Sequence, residues 1–292
     1  MTGPVVVGVD DFEHSDRLIA VAAREADLRG TALWLAHAYH SFTPATQGVP
    51  PGYAPEQIVH DTVMEQLTSL AAKVGAEHPG LQVDTAAMAG PAATALARLA
   101  EQASLLVVGG RGHGGVTGQL LGSVSLGVLA HARCPVLVAR GSYEPNKQRV
   151  MLGIDVHQDP RTGPEVLEFA FKEAARRKAG LHAFYAWEDP ANSYAYGAKI
   201  FAHADHVAAL ERGREKLDAA LAPWQEMFPE VPVTSDVLAG LPARLMVEAT
   251  ELADLLVIGG GTDEGRDGML VGAIAHTVLH HASCPVAIVP EH

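Results

Sequence analysis

Cysteine, positive charge, long apolar runs and the standard nucleotide-hydrolysis motif are scarce or missing, and each shortage removes a class of function. Cysteine occurs twice, at Cys134 and Cys284, each followed by proline and set in Val-rich sequence. Nothing near either has metal-ligand spacing, so both are expected to be buried strand residues in a reducing cytoplasm. Lys and Arg total 21 against 34 for Asp and Glu, a formal net charge of -13. Such a surface repels a phosphate backbone, and nucleic acid is not an expected partner. The opening MTGPVVVGVDD lacks the basic start and long apolar run of a signal peptide, and no apolar stretch approaches the ~18 residues that span a bilayer. The expectation is no membrane association and a cytoplasmic location. No G-x-x-x-x-G-K-[ST] occurs, which excludes hydrolysis by a phosphate lysine and a magnesium-binding hydroxyl.

What is present is a duplication. LLVVGG at Leu105 to Gly110 recurs as LLVIGG at Leu255 to Gly260, and HARCPVLV from His131 as HASCPVAI from His281, an offset of 281 - 131 = 150. The same offset relates Gly30 to Gly180, Gly90 to Gly240 and Gly122 to Gly272, whereas Gly8 and Gly153 stand 153 - 8 = 145 apart. Five extra residues are therefore expected between Asp155 and Gly180. Two copies of domain length are not a solenoid, whose units run about 20 to 50 residues. The polar, Pro145-containing stretch Ser142 to Arg149 reads as the linker, giving domains 1–141 and 149–292.

In the first copy, VVVGV from Val5 is a β-branched apolar run, and Leu18, Val21, Ala22 and Ala26 follow at helical spacing. Further strands are expected at ALWLAHA, LQVDTAAMA, LLVVGG and PVLVA, with helices carrying Val63, Leu67, Leu70, Ala71 and Val74, then Ala93 to Gln102, then SVSLGVLAHA. Strands alternating with helices imply an α/β fold. Each domain is expected to be an open, doubly wound, five-stranded parallel sheet covered on both faces. Ligands of such sheets bind beyond the carboxyl ends of the strands, where Asp10 and Gly109 stand.

After the fourth strand comes GGRGHGGVTGQLLGSVS, with Gly109, Gly112 and Gly122-Ser123 spaced as G-x2-G-x9-G-S. Glycines permit positive φ and close backbone approach. Loop N–H groups and those opening the helix from Ser123 would make a nest for phosphate oxygens, with hydroxyls from Ser123 and Ser125. A tight turn with Ser123 as a helix cap is the bland alternative. Gly110, Gly112 and Gly115 also satisfy G-x-G-x-x-G, but no Asp or Glu occurs from Gln102 to Tyr143 to serve as the ribose carboxylate of that fingerprint. The same window holds Arg111, Arg133 and Arg140, a local +3. Phosphate is one reason for that charge; a run of apolar elements with little room for acids is another.

These residues resemble the universal stress protein family, specifically its tandem-domain, ATP-binding members, over nearly the whole chain twice. The loop from Gly109 to Ser123, the VVVGVDD opening, and RCPVLVA and SCPVAIV before the last strands carry the resemblance. It implies an adenine nucleotide alpha-hydrolase-like fold, with an antiparallel exchange of terminal strands between domains as one option. By the same resemblance Gly8, Val9 and Asp10 lie near adenosine and ribose, Ala38 lines the adenine pocket, and Gly90 lies close to the base. Val108, Gly109, Arg111, Gly112, Gly122, Ser123, Val124 and Ser125 would surround the ribose and phosphates of ATP, with or without magnesium between the phosphates. Asp11-Phe12 replaces the family's frequent Gly-Ser, leaving the contacts of Asp11 open. Asp10 has a second reading as a helix cap, and His113 either touches phosphate or faces solvent. PVLVA and PVAIV, which pair across a domain interface in relatives, imply a homodimer.

The second copy departs from the pattern. Thr262 replaces Gly112, Ala273 replaces Ser123, and Gly259 to Gly272 carries -2 against +1 for Gly109 to Gly122. A solvated acidic loop is expected, with a second site that is empty or holds something other than a triphosphate. Ser41 to Glu56 reads as a surface loop, either near the nucleotide mouth or uninformative. His276 and His280 form an i, i+4 pair with no supporting ligand set, and no metal site is expected. With no paired acid and base, nucleophile elbow or catalytic lysine near the loop, the expected function is a nucleotide-dependent regulatory or stress-response protein. A slow ATPase and a structural dimerisation module that binds no nucleotide are the alternatives.

Overall fold

The computed structural model describes residues 3–40, 55–110, 121–141, 146–154, 162–187, 202–260 and 271–291. The chain forms two compact units, each an open, doubly wound parallel sheet with its helices.

The first unit runs β1 (Val5–Gly8), α1 (Asp16–Arg29), β2 (Leu33–Tyr39), α2 (Pro55–Glu77), β3 (Val83–Ala89), α3 (Ala92–Leu99), β4 (Leu105–Gly109), α4 (Ser123–Leu129) and β5 (Val136–Ala139). Its strand order is β3-β2-β1-β4-β5. The central strands form where the sequence is continuously apolar, because β1 and β4 are covered on both faces: Val5, Val6, Val7, Leu105, Leu106 and Val107 are fully buried. Along α1 the buried stripe is Ile19, Val21, Ala22, Ala23 and Ala26, so Ile19 rather than Leu18 opens it. The helix stops at Gly30, whose left-handed φ of 60° needs no β-carbon to be accommodated. Helix α3 is shorter than the sequence implies, because its last turn tightens into a 3-10 turn at Ala100–Gln102.

The second unit repeats the plan as β6 (Arg149–Gly153), α5 (Pro164–Arg177), β7 (Gly180–Trp187), α6 (Ala202–Met227), β8 (Val233–Ala239), α7 (Pro242–Thr250), β9 (Leu255–Gly260), α8 (Ala273–His281) and β10 (Val286–Pro290). Its order is β10-β9-β6-β7-β8.

Two sequence-based expectations are corrected. The left-handed cap of α5 is Lys178, which answers Gly30 at 178 - 30 = 148. The sheet agrees: Val5 pairs with Leu33 and Val150 with Leu181, again 181 - 33 = 148. Matching Gly30 to Gly180 was therefore a misalignment. Three of the five extra residues precede α5, and the other two enter between β7 and β8, where Val233 - Val83 restores 150. The cysteines are buried but not in strands; each stands two residues ahead of one, β5 or β10. Burial pushes both thiols up to about 12, which makes them poor nucleophiles.

Candidate functional site

In the first unit the chain steps from β1 outward to β2 and β3, then crosses back to β4 on the other side of β1. In open α/β sheets such a reversal marks where ligands bind, beyond the carboxyl ends of the strands, here β1 and β4. Gly8 closes β1, and a β-carbon there would lie 2.8 Å from Leu96 Cδ1 on α3, so glycine is what allows α3 to pack this close. Val9 extends the sheet by donating its N–H to the Ala36 carbonyl at 2.8 Å. Its own carbonyl lies 2.8 Å from His37 Nδ1, and the His37 ring is packed against Phe12 with centroids 4.9 Å apart.

Asp10 is exposed just past β1. Its neighbour Asp11 builds the turn into α1, accepting N–H bonds from Glu13 (2.8 Å) and His14 (3.3 Å) on one oxygen. His14 Nδ1 stands 2.8 Å from the other, and the Ser15 hydroxyl donates to the Asp11 carbonyl. The replacement of Gly-Ser by Asp11-Phe12 therefore has a local purpose: Asp11 fixes the turn and Phe12 covers His37.

Ala38 lies near the end of β2, in register with Met88. Gly90, just past β3, donates its N–H to the Tyr39 carbonyl at 2.8 Å and has φ +117°, a conformation that requires glycine. Val108 and Gly109 end β4. Gly122 is the N-cap of α4 with φ -65°, so positive φ is not why glycine stands there. Ser123 and Val124 are exposed in the first turn of α4, whereas Ser125 is buried and donates its hydroxyl to the Gly109 carbonyl at 2.7 Å. Ser125 thereby ties the start of α4 to the end of β4. The structure thus brings Gly8, Val9, Asp10, Val108, Gly109 and the start of α4 to one edge of the sheet, with Ala38 and Gly90 on the neighbouring strands. Arg111, Gly112 and His113 lie outside the described residues, as do Thr262, the acids Asp263, Glu264 and Asp267, and Ser41 to Ala54.

In the second unit Gly153 and Ile154 repeat Gly8 and Val9, with Ile154 N–H donating to the Phe184 carbonyl at 3.0 Å. The difference lies at Gly259, the counterpart of Gly109: the Glu291 carboxylate lies against it and accepts the Gly163 N–H at 2.7 Å. Sequence reasoning missed His37 and Glu291. A histidine within an apolar strand was a readable signal for the first; Glu291 carried none. His276 and His280 bring their Nε2 atoms to 3.2 Å on α8, and no group of three or more His, Cys, Asp or Glu forms among the described residues. Among those residues, no helix is long and apolar enough to cross a membrane.

Fold and site together define a duplicated α/β protein with a topological switch point at the glycine-ended strands of each half. The family model described as the universal stress protein family matches residues 1–140 and again 147–290, and the chain belongs to that family. A universal stress protein of Mycobacterium tuberculosis is 33% identical over 298 residues, covering 98% of this chain and 96% of that one. The crystal structure of a universal stress protein from Archaeoglobus fulgidus superposes with a TM-score of 0.66 at 17% identity, over 100% of this chain and 97% of that chain. A universal stress protein in complex with cAMP aligns with 49% of this chain and 100% of its own, with a TM-score of 0.38 and 24% identity.

Proposed function

We propose that the protein is an ATP-binding regulator of the stress response that takes one adenine nucleotide per chain, in the first of two domains spanning 1–141 and 149–292. The observation that carries this reading is the topological switch point where β1 and β4 end. Asp10 and Ser123 are exposed there, and Ser125 spends its proton on the Gly109 carbonyl rather than on solvent. That bond holds the first turn of α4 beside the strand end, where helical N–H groups without intrahelical partners suit phosphate oxygens. The remaining contacts are assigned to Gly8, Val9, Asp11, Ala38, Gly90, Val108, Arg111, Gly112, His113, Gly122 and Val124, with magnesium between the phosphates as an accessory.

The protein is read as a binder, not a catalyst, with slow ATP turnover by positioning as the upper limit. It is further proposed to act as a cytoplasmic homodimer without nucleic-acid or membrane partners. Acid extraction of the purified protein, followed by nucleotide chromatography and ATP calorimetry, tests the reading. About one adenine nucleotide per chain is expected, and Gly122→Val or Ser123→Asp should abolish binding in a folded protein. Neither released nucleotide nor calorimetric binding would leave the dimerisation module as the better account.

A further inference from the structure

At the switch point of the second unit the chain itself lays a side chain against the strand end. Val289 pairs with Gly259 and Pro290 with Gly260, so the backbone leaves β10 at Glu291 and the side chain turns back over the end of β9. A β-carbon on Gly259 would lie 2.8 Å from Oε1, 2.9 Å from Cδ and 3.0 Å from Oε2 of Glu291. All three carboxylate atoms therefore rest against the backbone, an approach that glycine alone permits. Oε1 accepts the N–H of Gly163, the N-cap of the 14-residue helix α5, at 2.7 Å. A negative charge is favoured at that end of a helix.

A second carboxylate adjoins the same spot. Glu165 Oε2 would lie 2.5 Å from a β-carbon on Gly163, and it is buried without a hydrogen-bond partner among the described residues. The first unit has no carboxylate at the matching position of its last strand's end. The counterpart of Glu291 is 291 - 150 = 141, a glycine, and the N-cap of α1 is Ser15.

We infer that Glu291 is the selectivity-determining residue of the second unit: its carboxylate fills the place at the end of β9, where the first unit has Gly141 in its stead, and so shuts out phosphorylated ligands. This rests on the reading that the first unit takes a nucleotide at the corresponding edge. Two effects act together. The carboxylate occupies volume against Gly259 that a ribose or phosphate would need, and two negative charges beside Gly163 repel phosphate oxygens. The acidic loop and the missing hydroxyl at Ala273 then weaken a site that is already filled.

The test uses the full-length protein as wild type, Glu291→Ala and Glu291→Gln, with ATP as the probe. Calorimetry reads stoichiometry, and amide resonances of Gly163 and Gly259 report on the second unit. In wild type, about one ATP per chain is expected, with both amides unmoved. Glu291→Ala should gain a second, weaker, saturable site and shift both amides. Glu291→Gln keeps an acceptor for Gly163 while removing the charge, so it guards against misfolding; it too should admit ATP, more weakly than the alanine variant. Folded variants that still bind one ATP, with Gly163 and Gly259 unmoved, would overturn the inference. If wild type binds no ATP but Glu291→Ala binds one and moves Gly259, the inference stands while the reading of the first unit falls.

Discussion

Glu25 and Glu173 occupy the same place in α1 and α5, since 173 - 25 = 148, and both are fully buried. Each is answered by arginine: Arg29 reaches Glu25 at 2.5 Å, while Arg176 (2.7 Å) and Arg177 both reach Glu173. A buried carboxylate survives only when paired, and removing one partner strands the other charge. Glu173→Ala should therefore destabilise the protein by about 3–5 kcal/mol, read as a fall in urea midpoint, whereas a loss below about 1 kcal/mol would show the arginines finding water. His182 gives a pH prediction. Burial lowers its pKa most, Asp236 opposes that, and Arg149 adds to it. With the folded value below the unfolded one, the unfolded chain takes the proton first as pH falls. The stability is present above about 6.5 and is lost as pH drops through the folded value. Denaturation midpoints at pH 7.5 and 5 should differ more for wild type than for His182→Gln; equal differences would refute the assignment.

At the scale of elements, the two α1-type helices end alike in shape but not in chemistry. Lys178 holds φ 51° where Gly30 holds 60°, and a β-carbon in that region costs ~1 kcal/mol, partly offset by the greater unfolded freedom of glycine. Lys178→Gly should raise stability by about 0.5–1 kcal/mol, visible in the urea midpoint; an unchanged or lower midpoint would mean that lysine adapts without strain. Helix α4 lies so close to α3 that a β-carbon on Gly127 would come 2.6 Å from Ala93 Cβ. Gly127→Val should push α4 outward, break the Ser125 bond to Gly109 and weaken ATP at least tenfold; wild-type affinity would separate α4 packing from binding.

The same elements show what one sequence discloses. Central strands were legible because burial on both faces demands continuous apolar runs, as at Val5–Gly8 and Leu105–Gly109. Gly109 and Gly122 stood out through their spacing and Gly8 through the resemblance; Gly8 and Gly109 close strands, and Gly122 is the N-cap of α4. The repeat alignment failed at Gly180 because the left-handed cap is a conformation and lysine can occupy it. Ser125 bonding to Gly109, 16 residues away, and Glu291 bonding to Gly163, 128 residues away, depend on tertiary packing that no local pattern encodes.

For the whole molecule, duplication has preserved the sheet and altered the edge proposed to meet ligand. Strand orders β3-β2-β1-β4-β5 and β10-β9-β6-β7-β8 are the same plan, yet one unit has Gly141 and Ser123 where the other has Glu291 and Ala273. A ligand that binds one folded unit stabilises it by RT ln(1 + [L]/Kd), about 2.7 kcal/mol at a hundredfold excess over Kd. That gain belongs to the amides whose exchange requires opening the occupied unit. On the proposed reading, saturating ATP should slow hydrogen exchange in 5–10, 105–110 and 123–129 while leaving 150–154, 255–260 and 273–281 at their ligand-free rates. Mass spectrometry of peptic fragments resolves these segments in the intact protein. Equal slowing in both sets would show that the second unit shares the ligand or the stabilisation, and would end the case for a one-sided nucleotide protein.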